Sequence, residues 1–256
     1  MAQPMILIHG TWGSHRDWDN IREDFAAMGF KVMAPDLLFH DLPSGEVAQY
    51  VGDVSLLEYT YQILRLVRRC EERPIIVGHS LGGLIAQLVA ERVAVKGLIL
   101  LGPAPTADIH SFYPSMLESF LPHFFQWGFW KKPIMPSEVA LTYAYNQHEA
   151  GRAEQELEMT VPDSGKAYTQ MGLPILDRRR TSQVDFTKIQ CPVLVITGMY
   201  DKLVVPQIAE QTARNYGNQA TLLMHGESDH MYITERFKDT TAHMIHMWLE
   251  QEGLLS

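Results

Sequence analysis

The sequence predicts an α/β protein: a mostly parallel sheet of about six strands, flanked by helices and interrupted by one long helical insertion. Three observations point there. Short unbroken apolar runs alternate with segments of helical apolar spacing, the rhythm of a parallel sheet buried on both faces. The rhythm stops at about residue 105 and resumes at about 191. A Gly78-His79-Ser80-Leu81-Gly82 turn sits where one apolar run meets a helical segment.

The elements follow in order. Met5-Ile6-Leu7-Ile8 reads as the first buried strand, and Trp18 to Met28 as a helix stopped by Gly29. Lys31 to Ala34 is a second strand, ended by Pro35. Leu56 to Cys70 carries Leu56, Leu57, Ile63, Leu64, Leu66 and Val67 at helical spacing. Ile75-Ile76-Val77 is the third strand, followed by a helix from Leu81 to about Arg92. Gly97 to Leu101 is the fourth. From Thr106 to Gln190 no strand-like run occurs, and Pro114, Pro122, Pro133, Pro136, Pro162 and Pro174 punctuate helical patterns. Val193 to Ile196 and Ala220 to Met224 are the last two strands, and Ile233 to Gln251 the closing helix. The division is therefore a core of residues 1–105 and 191–256 with residues 106–190 inserted.

The turn at Ser80 is the chemical centre of this reading. A serine between a strand end and a helix start is held on a sharp bend with its hydroxyl aimed outward. Glycines on either side remove side chains that would collide there. The first amides of the following helix favour negative charge at the same spot. A Gly-rich turn can also be a plain connector or a phosphate loop. The latter would want a lysine beside the serine or a G-x-G-x-x-G spacing, and this sequence has neither.

A serine hydroxyl needs a base, and the base needs an orienting acid. In a fold of this kind the chain order is serine, acid, histidine. Asp201 follows the strand ending at Ile196, on the rim where Ser80 sits. Its bland alternative is a turn or N-cap aspartate ahead of the helix near Pro206. His230 follows the last strand. Of eleven histidines, His225 ranks second because it comes straight off that strand, and His79 is expected to point elsewhere. His110, His123, His148, His243 and His246 have no comparable placement. Asp108, after the fourth strand, is the competing acid. Asp229 is disfavoured because sequence neighbours seldom face each other, and Asp177 and Asp185 lie in the insertion. Oxyanion donors are expected from the N–H of Leu81, just after Ser80, and of Thr11, in the loop His9-Gly10-Thr11-Trp12-Gly13.

Composition narrows the partners. The net charge of −9 disfavours nucleic acid and anionic membrane surfaces. Two cysteines, Cys70 and Cys191, have no metal-ligand spacing and read as free thiols of a reducing compartment. No basic leader precedes the first strand, and no run reaches membrane-spanning length. The expected setting is cytoplasmic, the partner a small ester-like molecule, and no metal or cofactor is called for.

Together these residues resemble the α/β-hydrolase superfamily. His9-Gly10 with Trp18 downstream resembles its oxyanion loop, and Val77 to Gly83 its nucleophile elbow. Pro35-Asp36-Leu37 resembles the segment after its next strand, Gly198 to Asp201 its acid loop and Ser228 to Met231 its histidine loop. The resemblance implies that residues 106–190 form a helical lid, and that the short start lacks the two extra N-terminal strands of longer members. Within the superfamily the chain resembles the methyl esterase and hydroxynitrile lyase group. Met231 stands where the lyases carry lysine, which favours the esterase side. The expected reaction is hydrolysis of a small to medium apolar ester through an acyl-enzyme. Lactone, thioester or carbon–carbon hydrolysis on the same triad, a cofactor-independent oxygenase or lyase, and a non-catalytic sensor are the rivals. The crowding of Phe112, Tyr113, Phe120, Phe124, Phe125, Trp127, Phe129 and Trp130, with Met116, Met135, Met159 and Met171, predicts an aromatic and methionine-rich pocket wall.

Overall fold

The computed structural model describes residues 2–255; the side chains of Ser44 and Phe124 lie outside the described part. Six strands form one parallel sheet: β1 (Pro4–Ile8), β2 (Lys31–Met33), β3 (Ile75–His79), β4 (Gly97–Leu101), β7 (Val193–Gly198) and β8 (Ala220–His225). Their order is β2-β1-β3-β4-β7-β8, so the chain starts at β1, turns out to the edge at β2, crosses back to β3 and then steps through β4 and β7 to the other edge. The central strands β1, β3, β4 and β7 are buried along their whole length, which is why each reads as an unbroken apolar run.

Alternate side chains of these strands feed two cores. Ile6, Ile8 and Ile76 pack with α3 (Leu56–Val67) and α4 (Leu81–Ala90). Met5, Leu7, Ile75 and Val77 pack on the other face with Phe25 of α1 (Arg22–Ala27) and Ile245 and Trp248 of α10 (Lys238–Gln251). The α3 helix begins at a capping box, Ser55 accepting from the Glu58 amide while Glu58 accepts from the Ser55 amide. Helix α9 (Pro206–Tyr216) starts with proline at its first turn, where the missing N–H costs nothing.

Several boundaries differ from the sequence expectation. The helix expected over Trp18 to Met28 is split. A capping box at Ser14 starts a short 3-10 turn, His15–Trp18, and α1 begins only at Arg22. The closing helix begins at Lys238 rather than Ile233, because residues 231–237 form turns about Thr234. A helix not anticipated, α2 (Ser44–Tyr50), follows Pro43.

Between β4 and β7 the chain leaves the sheet. It forms α5 (Pro114–Phe124), α6 (Glu138–Ala144), α7 (Arg152–Leu157) and α8 (Gly165–Gly172). It also forms a ribbon that the sequence pattern did not suggest: β5 (Pro133–Ile134) pairs antiparallel with β6 (Asp163–Ser164). Among the described residues no helix is long and apolar enough to cross a membrane.

Candidate active site

The strand-to-helix turn at Ser80 is built as its sequence requires. Ser80 has φ 52° and ψ −118°, a sparsely populated conformation that costs about 1–3 kcal/mol. Backbone hydrogen bonds hold it there, among them one from the Leu84 amide to its carbonyl at 3.3 Å. The Ser80 N–H donates to Leu101 O at 3.0 Å, and its carbonyl accepts from Gly83 and Ala104, each at 2.9 Å. The glycines are needed for close approach. A Cβ at Gly78 would overlap the carbonyl of Gly82, and one at Gly82 would overlap the carbonyl of Ile8. Gly10 brings the loop after β1 against the same turn, its added Cβ meeting Ser80 Cβ at 3.1 Å.

Asp201 and His230 come together from the loops after β7 and β8. His230 Nδ1 donates to Asp201 Oδ2 at 2.7 Å, with both residues buried. Asp201 Oδ1 meanwhile accepts from the amides of Leu203 at 3.0 Å and Val204 at 2.8 Å. The turn-capping and histidine-orienting roles, alternatives on sequence grounds, are divided between its two oxygens. Among the described residues His230 Nε2 has no hydrogen-bond partner, and His230 and Ser80 line the same pocket.

Sequence reasoning missed two supports. The Tyr232 hydroxyl donates to Asp201 Oδ2 at 2.7 Å and accepts from the Gly198 amide at 3.0 Å. Only its place two residues after His230 hinted at this. His79 Nε2 donates to the His230 carbonyl at 2.8 Å, so it braces the histidine loop. Burial, and then the nearby His230 ring, push His79 down to about 3, which keeps it neutral. His9 is likewise neutral. Its Nδ1 donates to Gly10 O, its Nε2 accepts from the Leu37 amide, and burial followed by repulsion from His40 lowers it to about 4.

The competing residues are elsewhere. Asp108 is bound to Arg180 on the surface. Asp229 turns away from His230 and accepts from the Gln147 amide at 2.8 Å and His148 Nδ1 at 3.0 Å. His225 Nδ1 accepts from the Ser228 amide, and His225 is absent from the pocket wall. Thr11 lines the pocket. The Leu81 side chain does not; it is packed in the core behind Ser80, while its backbone opens α4.

The pocket wall corrects one expectation. Of the seven among the eight crowded aromatic residues whose side chains are described, only Phe120 lines it. Phe112, Phe125, Trp127 and Trp130 are exposed, Phe129 is buried outside the pocket wall, and Phe124 lies outside the described side chains. A ring count reports apolar area and not the direction in which short helices turn it. Met116, Met159 and Met171 do line the pocket, with Leu141, Leu203 and Val204; Met135 does not. One corner is acidic, where Asp17, Glu156 and Tyr145 meet. Asp17 is half-buried in this wall, and burial pushes its carboxyl up to about 7. Among the described residues no group of three or more His, Cys, Asp or Glu is arranged to hold a metal ion.

The loop facing Ser80 is tied to the inserted segment. Trp12 has φ 63°, left-handed and costly for so bulky a residue, about 1–3 kcal/mol. Its N–H donates to Asp163 Oδ2 at 3.2 Å, its indole N–H to Ile134 O at 3.2 Å, and its carbonyl accepts from Val161 at 2.9 Å.

A model of the Alpha/beta hydrolase family matches residues 5–242. The chain belongs to that family. Human Protein ABHD8 is 26% identical over 262 residues, 96% of this chain and 54% of that protein. The chain therefore spans about half the length of this relative. A pyrethroid hydrolase from Sphingobium wenxiniae is 35% identical over 105 residues, 40% of this chain and 36% of that protein. The crystal structure of methylesterase MES16 from Arabidopsis superposes with a TM-score of 0.70 at 15% identity, covering 97% of this chain and 99% of that one. This family member thus shares the fold of the methylesterase-like group.

Proposed function

We propose that the chain is a serine hydrolase that cleaves a small to medium apolar carboxylic ester. The observation that carries this reading is the His230–Asp201 bond of 2.7 Å beside a pocket that holds both His230 and the strained Ser80. Ser80 Oγ attacks the ester carbonyl carbon while His230 Nε2 takes the hydroxyl proton. Asp201 fixes the tautomer, because its bond to Nδ1 leaves the Nε2 lone pair facing the pocket, and it stabilises the imidazolium. The oxyanion is held by the amides of Thr11 and Leu81. Collapse breaks the bond to the alcohol oxygen, which leaves with the proton from His230. Water then attacks the acyl-enzyme, giving its proton to His230, and the second collapse returns that proton to Ser80.

Residues 106–190 act as a lid over this site in our reading, on the core of 1–105 and 191–256. The apolar wall of Met116, Leu141, Met171 and Val204 supports an apolar acyl or alcohol group. The similarity to a pyrethroid hydrolase and a methylesterase supports an ester substrate. The unpaired Cys70 and Cys191 support a reducing, cytoplasmic setting.

The test is turnover of p-nitrophenyl acetate and butyrate by the wild type and by Ser80→Ala. Loss of at least about a thousandfold in kcat with an unchanged circular dichroism spectrum is expected. Undiminished turnover would remove Ser80 from the mechanism.

A further inference from the structure

We propose that Asp163 is a positioning residue for the oxyanion loop, reaching into the site from the inserted segment. Asp163 is 1% exposed, and its carboxylate is surrounded by donors. Oδ1 accepts from the Tyr59 hydroxyl at 2.9 Å and from the Ser164 amide at 2.6 Å. Oδ2 accepts from the Trp12 amide at 3.2 Å, and His40 Nε2 stands 3.7 Å from it, too far for a hydrogen bond. Tyr59 belongs to α3 and is fully buried in the core, so the carboxylate is anchored to the core on one side and grips the loop on the other.

What it grips decides where the neighbouring amide points. The peptide between Thr11 and Trp12 is planar, so its orientation is set by the torsions on either side. Trp12 sits at φ 63°, a conformation it would leave without restraint. The bond from its N–H to Asp163 holds that peptide directly, and the bonds at Ile134 and Val161 hold the rest of the residue. Thr11, one residue back, lines the pocket with Ser80. Releasing Trp12 toward an ordinary φ would swing the Thr11–Trp12 peptide and, through the Thr11 Cα, shift the adjoining Gly10–Thr11 peptide that carries the Thr11 N–H. This is an interaction felt by the oxyanion and not by the ground-state ester.

The inference rests on the reading of Thr11 as an oxyanion donor in a Ser80 hydrolase. Asp163→Asn tests it. An amide in either orientation presents N–H to one of two fixed backbone donors, the Trp12 N–H or the Ser164 N–H. The expected result is a tenfold to hundredfold fall in kcat for p-nitrophenyl butyrate with KM changed less than twofold. Affinity for a trifluoromethyl ketone, which forms a tetrahedral adduct, should fall in parallel, and affinity for the matching unreactive amide should not. Asp163→Glu and Tyr59→Phe provide further readings if Asp163→Asn does not fold. Tyr59→Phe removes one anchor of the carboxylate and should give a smaller fall of the same kind. Wild-type kcat in the folded variants, or equal weakening of the ketone and the amide, overturns the positioning role. If Ser80→Ala is inactive while these variants keep full kcat, the hydrolase reading stands and the role of Asp163 alone fails. Activity in Ser80→Ala would instead remove the reading beneath it.

Discussion

Tyr232→Phe tests how the acid is held. The substitution removes one oxygen that makes two bonds, to Asp201 Oδ2 at 2.7 Å and from the Gly198 amide at 3.0 Å. Tyr232 is fully buried, so neither partner regains water without rearrangement. A hydrogen bond to a charged group contributes about 1.5–3 kcal/mol, and a buried amide left unsatisfied costs about 1–3 kcal/mol. Both losses come from one atom and do not add in full, so about 3 kcal/mol of stability is expected to go. For a chain of this size that lowers Tm by about 6–12 °C. The effect on turnover should be milder. Asp201 keeps the Leu203 and Val204 amides on Oδ1 and His230 on Oδ2, so the imidazole stays oriented. A fall in kcat of about threefold to tenfold is expected, equivalent to about 0.7–1.4 kcal/mol. Thermal unfolding and ester turnover measure the two effects. A double-mutant cycle with Asp201→Asn sharpens them, since residues in direct contact couple by about 0.5–3 kcal/mol. A Tm within a degree of wild type, or strict additivity in the cycle, would refute the argument.

Two further substitutions probe the frame of the site. Gly82→Ala places a Cβ on the Ile8 carbonyl, at the end of the central strand β1, which cannot retreat, so soluble yield should collapse; a folded, active variant would contradict the close approach. His9, held down to about 4, refuses a proton that the unfolded chain takes up near 6.5, so its contribution to stability is complete above 6.5 and is lost as pH falls toward 4. That window is worth about 3 kcal/mol, and His9→Gln should flatten the pH dependence of urea unfolding across it; an unchanged slope would show that His9 is not held neutral.

The six strands could be read from the sequence because burial on both faces leaves a local mark, an unbroken apolar run such as Ile75-Ile76-Val77. Ser80 was legible for a related reason: its geometry depends on glycines within two residues of it. Asp201 and His230 were legible through chain order and position at strand ends. What was not legible depends on contacts between distant residues. The ribbon strands have two residues each, too few to show any period, and exist because Ile134 finds Asp163 across the segment. Tyr232 acts on Asp201 over 31 positions of sequence, and Asp163 on Trp12 over 151. The aromatic wall failed for the converse reason. Apolar composition was visible, but the side of α5 and its following turn that faces solvent was not.

The bonds between the inserted segment and the site also bear on how substrate enters. Asn146 donates to Tyr200 O at 2.9 Å beside the acid, and Gln147 and His148 grip Asp229 beside His230. Asp163 and Val161 grip Trp12 beside Thr11. A swing of the whole segment would break these five hydrogen bonds together and strip two buried carboxylates of donors. At about 1 kcal/mol for each neutral bond and about 2 for each to a carboxylate, the open form would lie about 8 kcal/mol above the closed one. That corresponds to a population near one in a million, too rare to admit substrate at ordinary rates. The inserted segment is therefore energetically part of the pocket wall. Met116, Met159, Met171 and Met231 are unbranched and adjustable, and all four line the pocket. Rotamer changes in such side chains are fast and break no polar bond.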